Sequence, residues 1–484
     1  MNLKRCFLVL FILAGVVKAN ARILLPQVLS SNMVLQRDKP VIIWGFGAVG
    51  EPVSVSFAGQ LKQTVTDASG KWQVILDPLK TNASPSAMTI KGNNTILLDN
   101  ILVGEVWLCS GQSNMEYQMR KLIKVKKPLN EKLGAPIDEV EKAHNSQIRI
   151  FLVNRKELSK PDSIHKSWSI AEDSALRAFS AAGYFFAKEL QVQLGVPIGM
   201  ISSAVSGSAI EPWIPKERLE SGYFEGKKTG NDPGKFYTPM IEPLTPFAIR
   251  GFLWYQGETN CFLKENISYT YKLDALIKSW RTAWKDQEMP FYYVQIAPFN
   301  YSTTKGKVVL DANTEPEFWE AQAQLMRLPK TGMVVTTDLN DYPDDLHPNY
   351  KWQIGKRLAL WALAMDYGKS ISYSGPMYKT VKFKNGTAEL TFDHIGGGLI
   401  SEGGKPLTGF ELSGTDGKYI PATAVIKGDK IIVSSKDLKK AINARFGWSE
   451  LGKFNLYNKA GLPAMPFRTN NPLTSQFKPA SKSN

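Results

Sequence analysis

Val103-Gly104-Glu105-Val106-Trp107-Leu108-Cys109-Ser110-Gly111-Gln112-Ser113-Asn114-Met115 is the stretch on which the reading of this chain turns. Val106 to Cys109 is an apolar run of strand length, which predicts a short buried strand. It leads into a turn carrying a hydroxyl (Ser113), two amides (Gln112, Asn114) and a glycine that admits backbone angles closed to other residues. Small polar groups just beyond an apolar strand are what an open α/β sheet presents to a ligand at its carboxyl edge. An ordinary surface turn looks the same over so few residues. The rest of the chain has to supply a base and an oxyanion site.

Downstream, strand-like and helix-like segments alternate. Ile148 to Val153 reads as a strand. Phe179 to Leu194 places Ala182, Phe185, Phe186 and Leu190 at helical spacing and stops at Gly195 and Pro197. Ile198 to Ser202 is a strand ending in the turn Val205-Ser206-Gly207-Ser208, and Gly251 to Tyr255 is another, ending in Gln256-Gly257-Glu258-Thr259-Asn260. Helix 271–284, strand 291–296, helix 315–326, strand 333–336 and helix 350–365 continue the pattern. Such alternation predicts an α/β domain with a parallel sheet and helices on both faces. Before it, from Ile23 to about Asn100, short alternating β runs such as Val53-Ser54-Val55-Ser56-Phe57 predict a small antiparallel, sandwich-like unit. After it, from about Ser374, β texture returns with the Asn385-Gly386 hairpin signal. The organisation expected is a leader (1–19), an N-terminal β unit (20–100), a central α/β domain (101–370), a C-terminal β-rich unit (371–475) and a flexible tail (476–484).

Composition bounds the function. The chain has 484 residues, 43% of them hydrophobic and 11% aromatic, as in folded domains. Met1-Asn2-Leu3-Lys4-Arg5, the apolar run Cys6 to Val17 and the exit Lys18-Ala19 describe a secretory signal cut after Ala19, so the mature chain is expected to be periplasmic or secreted. No later run reaches membrane-spanning length. Removing Lys4, Arg5 and Lys18 lowers the net charge from +15 to +12. The basic residues are dispersed apart from Arg120-Lys121-Leu122-Ile123-Lys124-Val125-Lys126-Lys127, a pattern that suits acidic glycans or anionic surfaces better than nucleic acid. Of three cysteines, Cys109 and Cys261 remain after processing, either as a disulfide or as two buried thiols. Oligomeric state is not written in the sequence.

The chain has four histidines. His144 and His165 lie in polar contexts, and His394 follows a C-terminal β run. His347 alone has carboxylates two and three residues before it, in Asp341-Tyr342-Pro343-Asp344-Asp345-Leu346-His347-Pro348. A hydrolytic serine needs a base, and the base needs an acceptor for its other nitrogen. Asp344 can fold back within one turn, and Asp345 competes for that role. The α/β-hydrolase elbow Gly-x-Ser-x-Gly is absent. No zinc-protease pattern, phosphate loop or dinucleotide fingerprint occurs, so neither a metal nor a cofactor is expected.

Gly111-Gln112-Ser113-Asn114-Met115, Gly207 with Ile210-Glu211-Pro212-Trp213, Trp254-Tyr255-Gln256-Gly257-Glu258-Thr259-Asn260, and Asp344-x-x-His347-Pro348 occur in order. Together they resemble the four blocks of an SGNH hydrolase, specifically the sialate O-acetylesterase family. The resemblance reaches from Asn32-Met33-Val34-Leu35-Gln36 to Asn455-Leu456-Tyr457-Asn458-Lys459-Ala460-Gly461-Leu462-Pro463. It implies an SGNH-type three-layer α/β/α domain, flanked by the two β-rich units, that removes O-acetyl groups from a sugar or glycan. Sialic acid acetylated at O9 or O4 is the first choice. Acetylxylan or another hemicellulose is the alternative, and a carbohydrate-binding protein with a dead site is the reading from another class. Ser113 would be nucleophile, His347 general base and acid, and Asp344 the residue orienting His347. The backbone N–H groups of Ser113 and Gly207 and the side-chain amide of Gln256, in preference to Asn260, would form the oxyanion hole. Ser206 and Ser208 around Gly207, and Asn340 before Asp344, depart from the usual pattern of similar sequences.

Overall fold

The computed structural model describes residues 22–125, 127–153, 161–162, 167–384 and 386–479. The expected leader and its cleavage point, His165, Lys126, Asn385 and the end of the tail lie outside the described residues.

The chain folds as a mixed α/β protein around seven strands. They are β1 (Thr95–Gly111), β2 (Ile148–Leu152), β3 (Trp168–Ile170), β4 (Ile198–Ala204), β5 (Gly251–Tyr255), β6 (Phe291–Val294) and β7 (Thr331–Val334), in spatial order β3-β2-β4-β1-β5-β6-β7. All neighbours are parallel except the β3–β2 edge pair. Parallel strands covered on both sides need apolar residues at nearly every position, and β1 from Val106 to Cys109, β4, β5, β6 and β7 are buried throughout.

Pleating sends successive side chains to opposite faces. Trp107 and Cys109 join the core made with α1 (Ala181–Leu194) and α2 (Lys351–Met365), where Phe186, Leu190, Ile354 and Leu358 are fully buried. Val106 and Leu108 join the core on the other face, with Leu273, Leu276 and Trp280 of the helix Ile267–Ala283 and with Phe318 and Trp319. Helix α1 starts where Ser180 accepts a hydrogen bond from the Gly183 N–H at 3.1 Å and ends at Gly195 with φ +65°.

Strand β1 begins well before the point where the β unit and the α/β domain were expected to divide. Its first part pairs antiparallel with Asn82–Lys91 and parallel with Val34–Gln36, and its last part lies between β4 and β5. Asn100 has φ +57°, a turn-like conformation that bends the strand without ending it. The same junction holds a buried carboxylate, Glu105, bonded by Arg37, Arg250 and Gln36. Burial pushes that carboxyl up, but the two guanidinium groups and the Gln36 amide outweigh it and hold it below its ordinary value.

The C-terminal region has its own core, with Leu390, Leu412, Ile431, Val433 and Phe446 between two four-stranded antiparallel sheets. It meets the α/β region through polar contacts, including the ion pair of Arg468 with Glu320 and the Ser302 N–H bonded to Glu450. Cys109 and Cys261 are separate buried thiols, which resolves the choice the sequence left open. Burial pushes the Cys109 thiol up to about 12, so it is inert as a nucleophile. Among the described residues, no helix is long and apolar enough to cross a membrane.

Candidate active site

Three adjacent strands stop at one level. Gly111 at the end of β1 is in register with Ala204 at the end of β4 and with Tyr255 at the end of β5. The turns that follow therefore project their polar residues from the same edge, as expected of an open parallel sheet. Gly111 cannot be replaced by a residue with a side chain. Its φ is +143°, and a Cβ would lie 2.1 Å from the Tyr255 carbonyl oxygen. The next residue locks the turn through a 3.0 Å bond from the Gln112 N–H to that carbonyl.

Ser113 opens the four-residue helix Ser113–Glu116, so its N–H is among the first-turn groups that have no partner inside the helix. Its hydroxyl lies 2.8 Å from His347 Nε2. Both residues are half-buried. Burial, followed by the nearby Lys351 ammonium, lowers the His347 pKa below 6.5, against the opposing effect of Asp345. The ring is thus neutral near pH 7 and able to accept the Ser113 proton. Gly207 sits opposite in the turn after β4, exposed and with φ +71°. The neighbouring Ser206 is fixed by Glu116, which accepts from both its N–H and its hydroxyl.

The carboxylates differ from the expected triad. Asp344 is exposed, and its Oδ1 accepts from Asn300 Nδ2 at 3.3 Å. Asp345 accepts the backbone N–H of His347 at 2.8 Å, and it is the carboxylate whose field acts on the imidazole. Among the described residues, no hydrogen bond joins either carboxylate to the ring. The proline-bounded loop points the Asp344 side chain toward the 300 segment, and the short Asp345 side chain closes on the loop's own backbone.

Gln256 also departs from expectation. It is fully buried, and its Nε2 faces Gln112 Oε1 (3.2 Å), the Ser208 carbonyl (3.2 Å) and Asn260 Oδ1 (2.8 Å), while its Oε1 accepts from the Tyr269 hydroxyl. With its amide engaged on all sides, Gln256 ties the three turns together beneath the site and is not presented at its surface. Asn260 is likewise buried. Its Oδ1 accepts from the Ile210 N–H and from Gln256, and its Nδ2 faces Glu211 and Glu265. The structure therefore brings together Ser113, His347 and the turn bearing Gly207, and sets Gln256 and Asn260 below them and Asp344 aside.

One group escapes a reading of the sequence. Asn114, next to the nucleophile candidate, bonds through Nδ2 to Glu258 and to the Leu346 carbonyl (3.0 Å), and its Oδ1 accepts from Lys351 Nζ at 2.8 Å. Lys351 is fully buried. Its position four residues after His347, at the start of α2, is the only sequence signal for it. Among the described residues, no group of three or more His, Cys, Asp and Glu side chains is placed to hold a metal ion.

Comparison with known proteins gives this geometry its context. Residues 103–364 match the family described as carbohydrate esterase, sialic acid-specific acetylesterase. The chain is 28% identical to the sialate O-acetylesterase of Homo sapiens, with 91% of each chain covered. It is 28% identical to that of Mus musculus, with 75% of this chain and 78% of the mouse protein covered. The crystal structure of a carbohydrate acetylesterase from Xanthomonas citri is similar at 35% identity with a TM-score of 0.82, covering 93% of this chain and all of that one. Fold, site and relatives define the class as a carboxylic ester hydrolase acting on O-acetyl groups of carbohydrates. Within that class, the match over more than half its length shows that the chain belongs to the sialic acid-specific acetylesterase family of carbohydrate esterases.

Proposed function

We propose that this protein is an exported serine esterase that removes O-acetyl groups from sialic acid, at O9 or O4, through an acetyl-serine intermediate. The observation that carries the mechanism is the 2.8 Å contact between Ser113 Oγ and His347 Nε2 at the shared edge of β1, β4 and β5. Neutral His347 takes the Ser113 proton as Oγ bonds to the acetyl carbon. The carbonyl oxygen becomes an oxyanion facing the N–H groups of Ser113 and Gly207. His347 then returns the proton to the departing sugar oxygen, and the same cycle with water releases acetate. Asp345 supports the imidazolium that forms in between, and Asp344, assigned that role from sequence, is its competitor.

An acidic sugar is favoured by the surroundings. Lys121, in the basic run, holds its ammonium 4.8 Å from the Tyr117 ring centroid, and its charge reaches His347. The Tyr117 hydroxyl bonds to Asn349, two residues beyond His347. The name borne by the human and mouse relatives points the same way. The remaining parts of the proposal are an SGNH-type three-layer α/β/α catalytic domain at 101–370, β-rich units at 20–100 and 371–475, and export directed by residues 1–19 to the periplasm or beyond. Acetate release from O-acetylated sialic acid and from acetylated xylan, each with wild type and Ser113→Ala, tests the proposal. Loss of activity on both substrates in the variant is expected, with sialic acid the better substrate. Preference for xylan would reassign the substrate, and an active Ser113→Ala would remove the mechanism.

A further inference from the structure

A buried ammonium beneath the catalytic turn needs a reason. Lys351 is 0% exposed, and sequestering an unpaired charge is unfavourable unless hydrogen bonds or an opposite charge compensate. Here its Nζ donates to Asn114 Oδ1 at 2.8 Å and to the Pro348 carbonyl at 2.5 Å. One partner adjoins Ser113 and the other adjoins His347. The Asn114 amide continues the connection through its Nδ2, which donates to the Leu346 carbonyl and to the buried carboxylate of Glu258. The amide therefore turns its oxygen to the ammonium and its nitrogen to the Glu258 oxygen, the orientation that a donor-only lysine and an accepting carboxyl oxygen impose. Leu346 and Pro348 flank His347, so the carbonyls that bracket the base are tied to Asn114, the first directly and the second through Lys351.

The charges around Lys351 come from every side of the pocket. Glu258 approaches from the turn after β5, Asp345 from the histidine loop and Lys121 from the basic run. The rings of Tyr117 and Tyr255 lie 4.8 and 5.4 Å from the ammonium. Burial is the dominant influence and lowers the Lys351 pKa to about 7, while burial raises that of Glu258, whose Oε2 has no hydrogen-bond partner.

We infer that Lys351 is a positioning residue for the esterase reaction. It ties the turn of Ser113 to the loop of His347 through Asn114 and Pro348, and its positive charge keeps the imidazole in its neutral, proton-accepting form. The inference rests on the assignment of Ser113 and His347 as nucleophile and base. It gives Lys351 no contact with substrate.

The two parts of the role separate experimentally. Lys351→Met removes both tie and charge. Lys351→Gln keeps hydrogen-bonding capacity without charge, and Asn114→Ala breaks the tie and leaves the charge. With p-nitrophenyl acetate, Lys351→Met is expected to lower kcat about 100-fold with KM within about threefold, since misplacement of a base acts on the transition state and spares binding. Its acid limb of kcat/KM should move up by about half a pH unit or more, because His347 loses a cation that disfavours its protonation. Lys351→Gln should recover part of kcat with the limb still displaced, and Asn114→Ala should lose kcat with the limb at its wild-type position. A purely structural lysine would lower activity without moving the limb. An unmoved limb in a folded Lys351 variant, or kcat within about threefold of wild type in Lys351→Met or Asn114→Ala, overturns the inference. Should neither Lys351 variant fold, the kcat of Asn114→Ala decides. Ser113→Ala assayed alongside keeps the premises apart. If it is as active as wild type, the nucleophile assignment has failed. If it is inactive while Lys351→Met behaves as wild type, only the lysine's role has failed.

Discussion

Gly111 and Gly257 each set a backbone turn of large positive φ, +143° and +155°, beyond two paired parallel strands, and each leads into a short helix. After Gly111 the chain carries a half-exposed serine in contact with an imidazole. Around Gly257 it carries Gln256 and Glu258, both buried. The two turns interlock, since Gln112 Oε1 receives Gln256 Nε2 together with the N–H groups of Gly257 and Thr259. Backbone shape alone does not make a turn catalytic. What differs is the position of the glycine, two residues ahead of the functional side chain in one turn and directly after Gln256 in the other. The first arrangement lifts Ser113 above the edge. The second directs the Gln256 amide down among Ser208, Asn260 and Tyr269.

The sharpest way to break that contrast is at Ser113. Ser113→Ala should lower kcat on the order of 10⁴-fold or more without loss of folding, measured with p-nitrophenyl acetate and thermal unfolding side by side. At the histidine, activity should fall as pH drops below 6.5, since protonated His347 cannot accept the serine proton and its pKa is lowered from that value. Asp345→Asn should lower kcat by about 10-fold or more and move this limb to lower pH, because the carboxylate that favours the imidazolium is gone. Asp344→Asn should stay within about threefold, and the reverse ranking would restore the sequence-based assignment of Asp344. At the second turn, Gln256→Ala should destabilise the protein by about 2–4 kcal/mol, because buried partners of its amide are left unsatisfied. A folded Gln256→Ala enzyme of unchanged stability and about 100-fold lower kcat would show instead that its amide meets the oxyanion directly. The smallest effect is expected at Lys121. Lys121→Ala should lower the ratio of kcat/KM for acidic over neutral acetylated sugars about threefold, an effect that added salt erases.

That Ser113, His347 and the turn of Gly207 would meet at one sheet edge was legible because glycines, apolar strands and a proline-bounded histidine leave local marks. The order of strands and helices was legible for the same reason, and the end of α1 was marked by Gly195. The direction of the Gln256 amide was not, since Gln112, Ser208 and Tyr269, which hold it, come from other segments. Lys351 reads in sequence as a surface lysine in the first turn of a helix, and only the convergence of Asn114 and Pro348 makes it internal. The division expected at residue 100 falls inside β1 (Thr95–Gly111). A positive-φ asparagine marks turns and bulges alike, and only the pairing partners on either side distinguish them.

The continuity of β1 has a consequence for cooperativity. Its 17 residues span about 55 Å when fully extended, and they are hydrogen-bonded at one end to the N-terminal strands and, at the end that presents Ser113, to β4 and β5. Opening the N-terminal strands removes the lateral support of the same backbone that carries Ser113. The amides of 95–111 should therefore exchange with solvent as one unit, at the rate of the most protected core. In folding terms Ser113 belongs to the N-terminal strands as much as to the parallel sheet, and a chain begun at residue 101 would carry its serine on a strand cut short.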